Sequence, residues 1–163
     1  MKLNQATRLA IWSIVELASR PGEQVPVNEI AQIYGISQHH LAKVLRTPSR
    51  AGIVGSTRGP GGGCEFTGNA NRLTLYDIVQ LFEGDREEEE TPEVPSTPVA
   101  AEVARVLMEI DRITTATLKS VTLQTIIRNA ERKEERRKEA SRKTAPAGES
   151  EAAGGLEQAS EKA

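Results

Sequence analysis

The residues best suited to chemistry in this chain lie in the segment GSTRGPGGGCEF, at positions 55–66. It combines Arg58 and the single cysteine, Cys64, with glycines that allow positive φ or a close approach of the backbone to another molecule. A phosphate-binding P-loop is excluded because no Lys-Ser or Lys-Thr pair follows Gly63. A dinucleotide fingerprint is excluded because its third glycine would fall on Cys64. The segment therefore predicts the tip of a β-hairpin, with Arg58 at its shoulder.

Cysteine and histidine are scarce in this chain, which limits the catalytic and metal sites that it can form. One cysteine excludes an internal disulfide and a cluster held by several cysteines of one subunit. A catalytic pair of Cys64 with His39 or His40 is disfavoured because the sequence places no acid or amide to orient the imidazole. Adjacent histidines diverge on a helix, so no metal site is predicted. Without paired carboxylates or a nucleophile motif, an enzyme is not expected.

Two interpretations of Cys64 are open. In the first, the side chain fills a position for a small apolar residue, because free cysteine behaves as a small hydrophobe. In the second, Cys64 is a redox-active thiol on the hairpin, and the charge of Arg58 lowers its pKa.

The charge of the chain divides into two parts. The formal net charge is −2, but residues 1–84 carry eight Lys/Arg against six Asp/Glu, and residues 85–163 carry thirteen against seventeen. The first part, at +2, can therefore approach a polyanion. No apolar run approaches the ~18 residues of a membrane span, and the N-terminus lacks a signal-peptide core. We expect a cytoplasmic protein without membrane contact.

Apolar periodicity predicts the helices that position these residues. Residues 3–18 form a first helix, and residues 26–47, PVNEIAQIYGISQHHLAKVLRT, form two short helices. Asn28 is expected to cap the first of this pair, Gly35 to make the turn and Ser37 to cap the second. Pro48 is expected to end or bend the second helix near Arg46. Two helices joined by a short turn with glycine are typical of a helix-turn-helix.

The segments after the hairpin extend this domain. A helix over residues 73–84 begins at a capping box of Thr74 with Asp77 and ends at Gly84. Residues 85–98 contain six acids and three prolines, which indicates a linker. The apolar residues that follow it have heptad spacing: Val99, Val103, Val106, Ile110 and Ile113. Two heptads are too few for an independent coiled coil, so we expect this seam to pack on a partner subunit.

The end of the chain is dominated by charge. Residues 118–127 supply a second apolar group, with Thr122 as its cap, and complete a dimerisation region over residues 99–127. Residues 128–163 are interpreted as a charged, disordered tail. Within it, residues 128–143 carry eight Lys/Arg against four Glu, which fits a solvated helical extension or a non-specific attraction to phosphate.

Together these elements predict a mainly α fold with a small β-hairpin wing: a winged helix-turn-helix over residues 1–84, followed by a long dimerisation helix. In a winged helix, the second helix of the pair enters the major groove and the wing follows the DNA backbone or the minor groove. Arg58 would be the side chain that enters a narrow, negative minor groove.

Three stretches carry a resemblance to a known family: MKLNQATRLAIWSIVELA, EIAQIYGISQHHLAKVLRTPSRAGIVGSTRGPGGG and LTLYDIVQLFEG. They resemble the IscR and NsrR regulators of the Rrf family over about residues 1–84, most closely at RGPGGG in positions 58–63. The segment 99–127 is similar to the dimerisation helix of that family. The resemblance implies a homodimeric transcriptional regulator, usually a repressor, on a palindromic site in double-stranded DNA. The alternative is a winged-helix protein-interaction module without specific DNA binding.

The resemblance also implies site residues. The DNA-contacting positions of the family fall on Ser37, Gln38, His39 and Ala42 of the recognition helix and on Arg58 of the wing. Ala42 stands where some members have an acidic residue that discriminates between operators. The full candidate set for DNA binding is Ser37, Gln38, His39, His40, Lys43, Arg58, Gly59 and Gly61. The candidate set for dimerisation is Val103, Val106, Ile110 and Ile113.

Many members of the family hold an iron-sulfur cluster through three cysteines before the dimerisation helix. The corresponding loop here, DREEEETPEVPSTP, has no cysteine or histidine. Clusters need thiolates, whereas carboxylates are harder donors suited to other metals. We therefore expect no cofactor, with a cluster as the disfavoured alternative, and the sequence identifies no effector.

Overall fold

The computed structural model describes residues 3–57, 59, 62–84 and 97–144. Within these ranges the chain is mainly helical with one two-stranded antiparallel hairpin, which confirms the predicted fold class. The elements are α1 (Gln5–Ala18), α2 (Val27–Ile33), α3 (Gln38–Arg50), β1 (Val54–Ser56), β2 (Cys64–Phe66), α4 (Leu75–Glu83), α5 (Pro98–Ser120) and α6 (Leu123–Thr144). Most of the predicted linker, residues 85–96, lies outside the described residues.

The central element of the fold is α1, which packs against α3, α4 and β2. It begins at Asn4, whose side chain accepts a hydrogen bond from the backbone N–H of Thr7 at 2.8 Å. Its apolar face is buried in the core, which includes Ala10, Ile14 and Leu17. The Glu83 carboxylate at the end of α4 accepts from the Thr7 hydroxyl at 2.9 Å, so the start of α1 is joined to the end of α4.

The helix-turn-helix has the predicted turn but different boundaries. Ser37 caps α3 as expected and accepts from the N–H of His40 at 3.2 Å. The prediction that Asn28 caps α2 is wrong, because the N-cap is Pro26. Proline fixes an extended entry at φ −60°, and its carbonyl accepts from the N–H of Glu29 at 3.0 Å, so Asn28 already lies in the first turn.

The expected break at Pro48 is also wrong. Helix α3 continues to Arg50, because Pro48 lies in its last turn, where the missing N–H removes a single hydrogen bond, and the ring is buried in the core. The helix ends at Arg50 with Ala51 as its C-cap, and Gly52, the next residue, has φ +69°. The N–H of Ile53 donates to the Pro48 carbonyl at 3.0 Å, and that of Gly52 donates to Ser49 at 3.1 Å. This is the Schellman pattern that satisfies the last carbonyls of a helix.

The wing is a short hairpin held against the segment before α2. Its register pairs Val54 with Phe66 and Ser56 with Cys64. On its other edge, Cys64 exchanges two backbone hydrogen bonds with Val25, at 2.8 and 2.9 Å. The base of the wing is thus fixed from both sides.

The C-terminal helices return to the same core. The capping box of Thr74 with Asp77 is present, and Thr122 caps α6, as predicted. Leu123 is fully buried and its N–H donates to the Leu73 carbonyl at 3.0 Å. The described residues up to Ala130 therefore form one compact unit, and the region predicted for dimerisation supplies part of its core.

A second unit begins at Glu131, and its described residues are helical to Thr144. Residues 128–144 are helical, which agrees with the solvated helical extension considered for residues 128–143 and not with disorder there. Lys, Arg, Glu and Ala favour helix intrinsically, and pairs such as Glu134 with Lys138, 3.7 Å apart, support it. Residues 145–163 lie outside the described residues. None of the helices in the described part of the chain is long and apolar enough to cross a membrane.

Candidate nucleic-acid interface

The two faces of α3 have different roles. Leu41, Val44 and Leu45 are buried against the rest of the unit. The predicted contact residues of the first turn, Ser37, Gln38, His39 and His40, are all exposed. The exposed face then continues along the helix with Ala42 and Lys43, followed at intervals of three and four residues by Arg46 and Arg50. The core packing of α3 therefore presents a full helical face to solvent.

The exposed face of α3 is positively charged, and no acidic side chain of the described residues forms an ion pair with its basic residues. The sequence contains no acidic residue between Glu29 and Glu65, while Lys43, Arg46 and Arg50 lie within that span. None of these three side chains takes part in an ion pair among the described residues. Their charges are available to phosphate groups. Of these three residues only Lys43 is among the predicted contact residues, although the acid-free span of sequence also indicates Arg46 and Arg50.

The wing is positioned by polar contacts at its base. The Gln24 amide nitrogen donates to the Glu65 carboxylate at 2.7 Å, and its oxygen accepts from the Thr57 hydroxyl at 2.9 Å. Gly59 at the tip has φ +104°, which L side chains rarely adopt. Arg58 and Gly61 lie outside the described residues. No local sequence pattern indicates the Gln24 contacts, because they join residues far apart in the chain.

Between α3 and the wing lies a cleft of about 350 Å³. Its lining combines an apolar floor with two guanidinium groups and two hydroxyls: Val27, Ala42, Leu45, Arg46, Ser49, Arg50, Ser56 and Cys64. Guanidinium groups and hydroxyls are the donors that proteins use to contact phosphate oxygens. The cleft can therefore accept a backbone phosphate between the two elements.

Cys64 belongs to the floor of this cleft and is 4% exposed. Burial raises the pKa of its thiol above the ordinary range, because an apolar environment disfavours the thiolate. A protonated, buried thiol is a poor nucleophile. The structure thus favours the interpretation of Cys64 as a small core residue over that of a redox-active thiol.

The residues present do not fit a cysteine-ligated iron-sulfur cluster within one chain. The only thiol is buried in β2, and His39 and His40 are neighbours on the exposed first turn of α3. Over the described ranges, no three His, Cys, Asp or Glu side chains are grouped in a way that could hold a metal ion.

The predicted dimerisation residues form an uncovered apolar stripe on α5. The exposed fractions are 53% for Val103, 44% for Val106, 46% for Ile110 and 57% for Ile113. Leu107, which the sequence analysis did not include, is 56% exposed. It lies four residues after Val103 and therefore extends the same face.

Comparison with known proteins decides the family. The sequence pattern of the Rrf2 family, described as an iron-dependent transcriptional regulator, matches residues 3–129. The chain belongs to the Rrf2 family. It is 39% identical over 128 residues to the HTH-type transcriptional regulator BadM of Rhodopseudomonas palustris, covering 78% of this chain and 82% of BadM.

Solved structures agree with this assignment. CymR, the global cysteine regulator of B. subtilis, superposes with a TM-score of 0.67 at 26% identity, covering 79% of this chain and 98% of CymR. IscR of T. potens superposes with a TM-score of 0.64 at 21% identity, covering 80% of this chain and 88% of IscR, and this similarity concerns the fold. The predicted resemblance is confirmed, and this Rrf2 protein is a DNA-binding transcriptional regulator rather than an enzyme.

Proposed function

We propose that this Rrf2 protein acts in the cytoplasm as a homodimeric repressor that binds an inverted-repeat operator in double-stranded DNA. The observation that carries the proposal is the exposed face of α3, where Lys43, Arg46 and Arg50 take part in no ion pair among the described residues. A polyanion is the partner that such a surface favours.

Sequence would be recognised by the first turn of α3. Gln38 and the two histidines carry donors and acceptors that reach base edges when a recognition helix enters the major groove. Lys43, Arg46 and Arg50 lie further along the same face and would contact phosphates, which fixes the register of the helix without reading sequence. Arg58 would complete the contact from the wing in the minor groove.

The inverted repeat follows from the proposed dimer. A two-fold axis formed by the α5 stripes would place two recognition helices in related orientations, so that each binds one half-site. A dimer bound at a promoter excludes the transcription machinery, which makes repression the simplest outcome. No cluster is included, because the residues present do not fit one, and the effector stays unidentified.

Selection of genomic DNA fragments by the purified protein tests this proposal. We expect enrichment of fragments that share an inverted repeat. Arg46→Gln should weaken binding to these fragments by about 1 kcal/mol. Because one phosphate contact is lost, the slope of log K against log [salt] should become less steep by about 0.9. Arg112→Gln is a matched control, since Arg112 is exposed on the face of α5 opposite the apolar stripe. If no fragment is enriched, the protein-interaction module becomes the better interpretation.

A further inference from the structure

We propose that the part of α6 beyond residue 130 is a second DNA-binding surface, which contacts the phosphates of duplex DNA without sequence preference. Its basis is a segregation of charge around the helix. We define the basic stripe as Arg132, Lys133, Arg136 and Arg137. At 3.6 residues per turn, these four positions occupy about 140° of the helix circumference. No acidic residue falls within that sector.

The acidic residues lie on the other side of the helix. Glu131, Glu134, Glu135 and Glu139 occupy a separate sector of about 140°. Lys138 and Arg142 lie among these glutamates, and the Lys138 ammonium is 3.7 Å from the Glu134 carboxylate. On this side Lys138 is therefore paired within the helix, and Arg142 lies in the same sector as the glutamates.

The basic stripe, in contrast, has no partner in the part of the chain that the structure describes. All four side chains are exposed, and none takes part in an ion pair there. Four like charges in six residues repel one another, which weakens the helix. An external anion would remove that cost.

The chemistry of the surface selects the class of partner. A membrane-surface helix needs an apolar face, but residues 128–142 contain no apolar side chain larger than Ala130 and Ala140. Duplex DNA carries one charge per about 1.7 Å of axis, so a stripe about 7.5 Å long faces several phosphates. The chain is already a DNA-binding regulator, and an attached cationic helix acts at high effective concentration once the winged helix has bound.

This proposal rests on the proposed function at one point: the winged helix must bind DNA in order to bring α6 to it. The test uses the full chain and a 40-base-pair duplex of random sequence. Arg132→Gln with Arg136→Gln removes two charges from the basic stripe. Lys138→Gln with Arg142→Gln is the matched control, because it removes two charges from the glutamate side of the same helix. Fluorescence anisotropy between about 50 and 200 mM salt gives the slope of log K against log [salt], to which each phosphate contact adds about −0.9.

We expect the slope to become less steep by about 2 in the stripe variant and to stay unchanged in the control, with equal helicity of both by circular dichroism. Equal slopes for the two variants, or no binding to the duplex at the lowest salt, would overturn the proposal. Failure of the proposed function is a different result: genomic selection finds no operator, while the stripe variant still loses salt dependence on random DNA.

Discussion

Gly63 holds the outgoing strand of the wing against the segment before α2. A Cβ atom at this position would lie 2.5 Å from the Val25 carbonyl oxygen and 2.7 Å from its carbon. Both are backbone atoms next to the Val25–Cys64 hydrogen bonds, so neither can move without opening the base of the wing. Only glycine fits here, which explains one part of the glycine run.

Gly63→Ala is therefore expected to destabilise the fold by about 1–3 kcal/mol, as overpacking does, and to weaken DNA binding. Urea unfolding and an operator-binding assay measure the two effects. Gly22→Ala provides the comparison: its φ of +77° is strained for alanine, but its Cβ meets nothing within 4 Å. Gly22→Ala should therefore lower the stability of the fold and leave DNA binding unchanged. Wild-type wing function in Gly63→Ala would contradict the steric argument.

The Cys64 thiol predicts a dependence of stability on alkaline pH. Burial raises its folded pKa above the unfolded value of about 8.5, so the folded state holds the proton more tightly. The stabilising contribution is complete below pH ~8.5 and is lost as the pH rises through the folded pKa.

Denaturation curves at pH 7 and pH 10 should show that the free energy of unfolding falls more between these pH values for the wild type than for Cys64→Ala. In the native protein the thiol should also react slowly with an alkylating reagent. Rapid alkylation of the folded protein, at the rate of a free thiol, would restore the interpretation of Cys64 as a redox-active residue.

Individual residues were predictable where local chemistry decides their role. Ser37 and the pair of Thr74 with Asp77 were identified because their hydrogen bonds close within one helical turn. The predictions for Asn28 and Pro48 are wrong for two different reasons, one local and one tertiary. At Asn28 the preceding proline set the helix start, and at Pro48 burial of the ring outweighed one lost hydrogen bond.

Among the helices, α5 is the one whose apolar stripe has no cover within the described part of the chain. Ile110→Asp is expected to give monomers and to weaken operator binding, because a charge in the centre of the stripe opposes its burial by a partner chain. Light scattering and operator titration measure the two effects. Met108→Asp introduces the same charge on the opposite face of α5 and should leave a dimer. A dimeric Ile110→Asp protein would show that the stripe is not the interface.

The beginning of α6 behaves as a core element rather than as part of an appended helix. Leu123→Ala should lower the free energy of unfolding by about 2–5 kcal/mol, because Leu123 is fully buried. Met108→Ala, at a position that is 66% exposed, should change it by less than about 0.5 kcal/mol. Equal effects of the two substitutions in urea unfolding would place Leu123 outside the core.

Apolar periodicity predicts the helices, but it does not predict which helices pack together in one core. The heptad spacing of Val103 to Ile113 indicated an uncovered helix face, and that face is exposed. Leu123 and Ile127 were assigned to the same region because they follow it in sequence. Their packing depends on tertiary contacts with the segment before α4, which no local pattern encodes.

For the whole molecule, the donor set predicts a protein without an iron-sulfur cluster. One chain offers a single thiolate, and that thiol is buried in the wing. Protein purified anaerobically should be colourless, and iron chelation should leave operator affinity unchanged. Sulfide-to-iron charge-transfer absorption with stoichiometric iron and sulfide would mean that ligands from elsewhere complete a cluster.

The core of this protein depends on residues that are far apart in the chain, which limits when it can fold during synthesis. Glu83 forms a hydrogen bond with the start of α1, and Leu123 and Ile127 are buried in the core. The core receives contributions from Leu9 to Ile127, and the Thr7–Glu83 contact spans 76 residues of sequence. A nascent chain that has reached only the wing lacks both α4 and the apolar side chains of α6. We therefore expect its core to stay incomplete until the chain has been synthesised as far as Ile127.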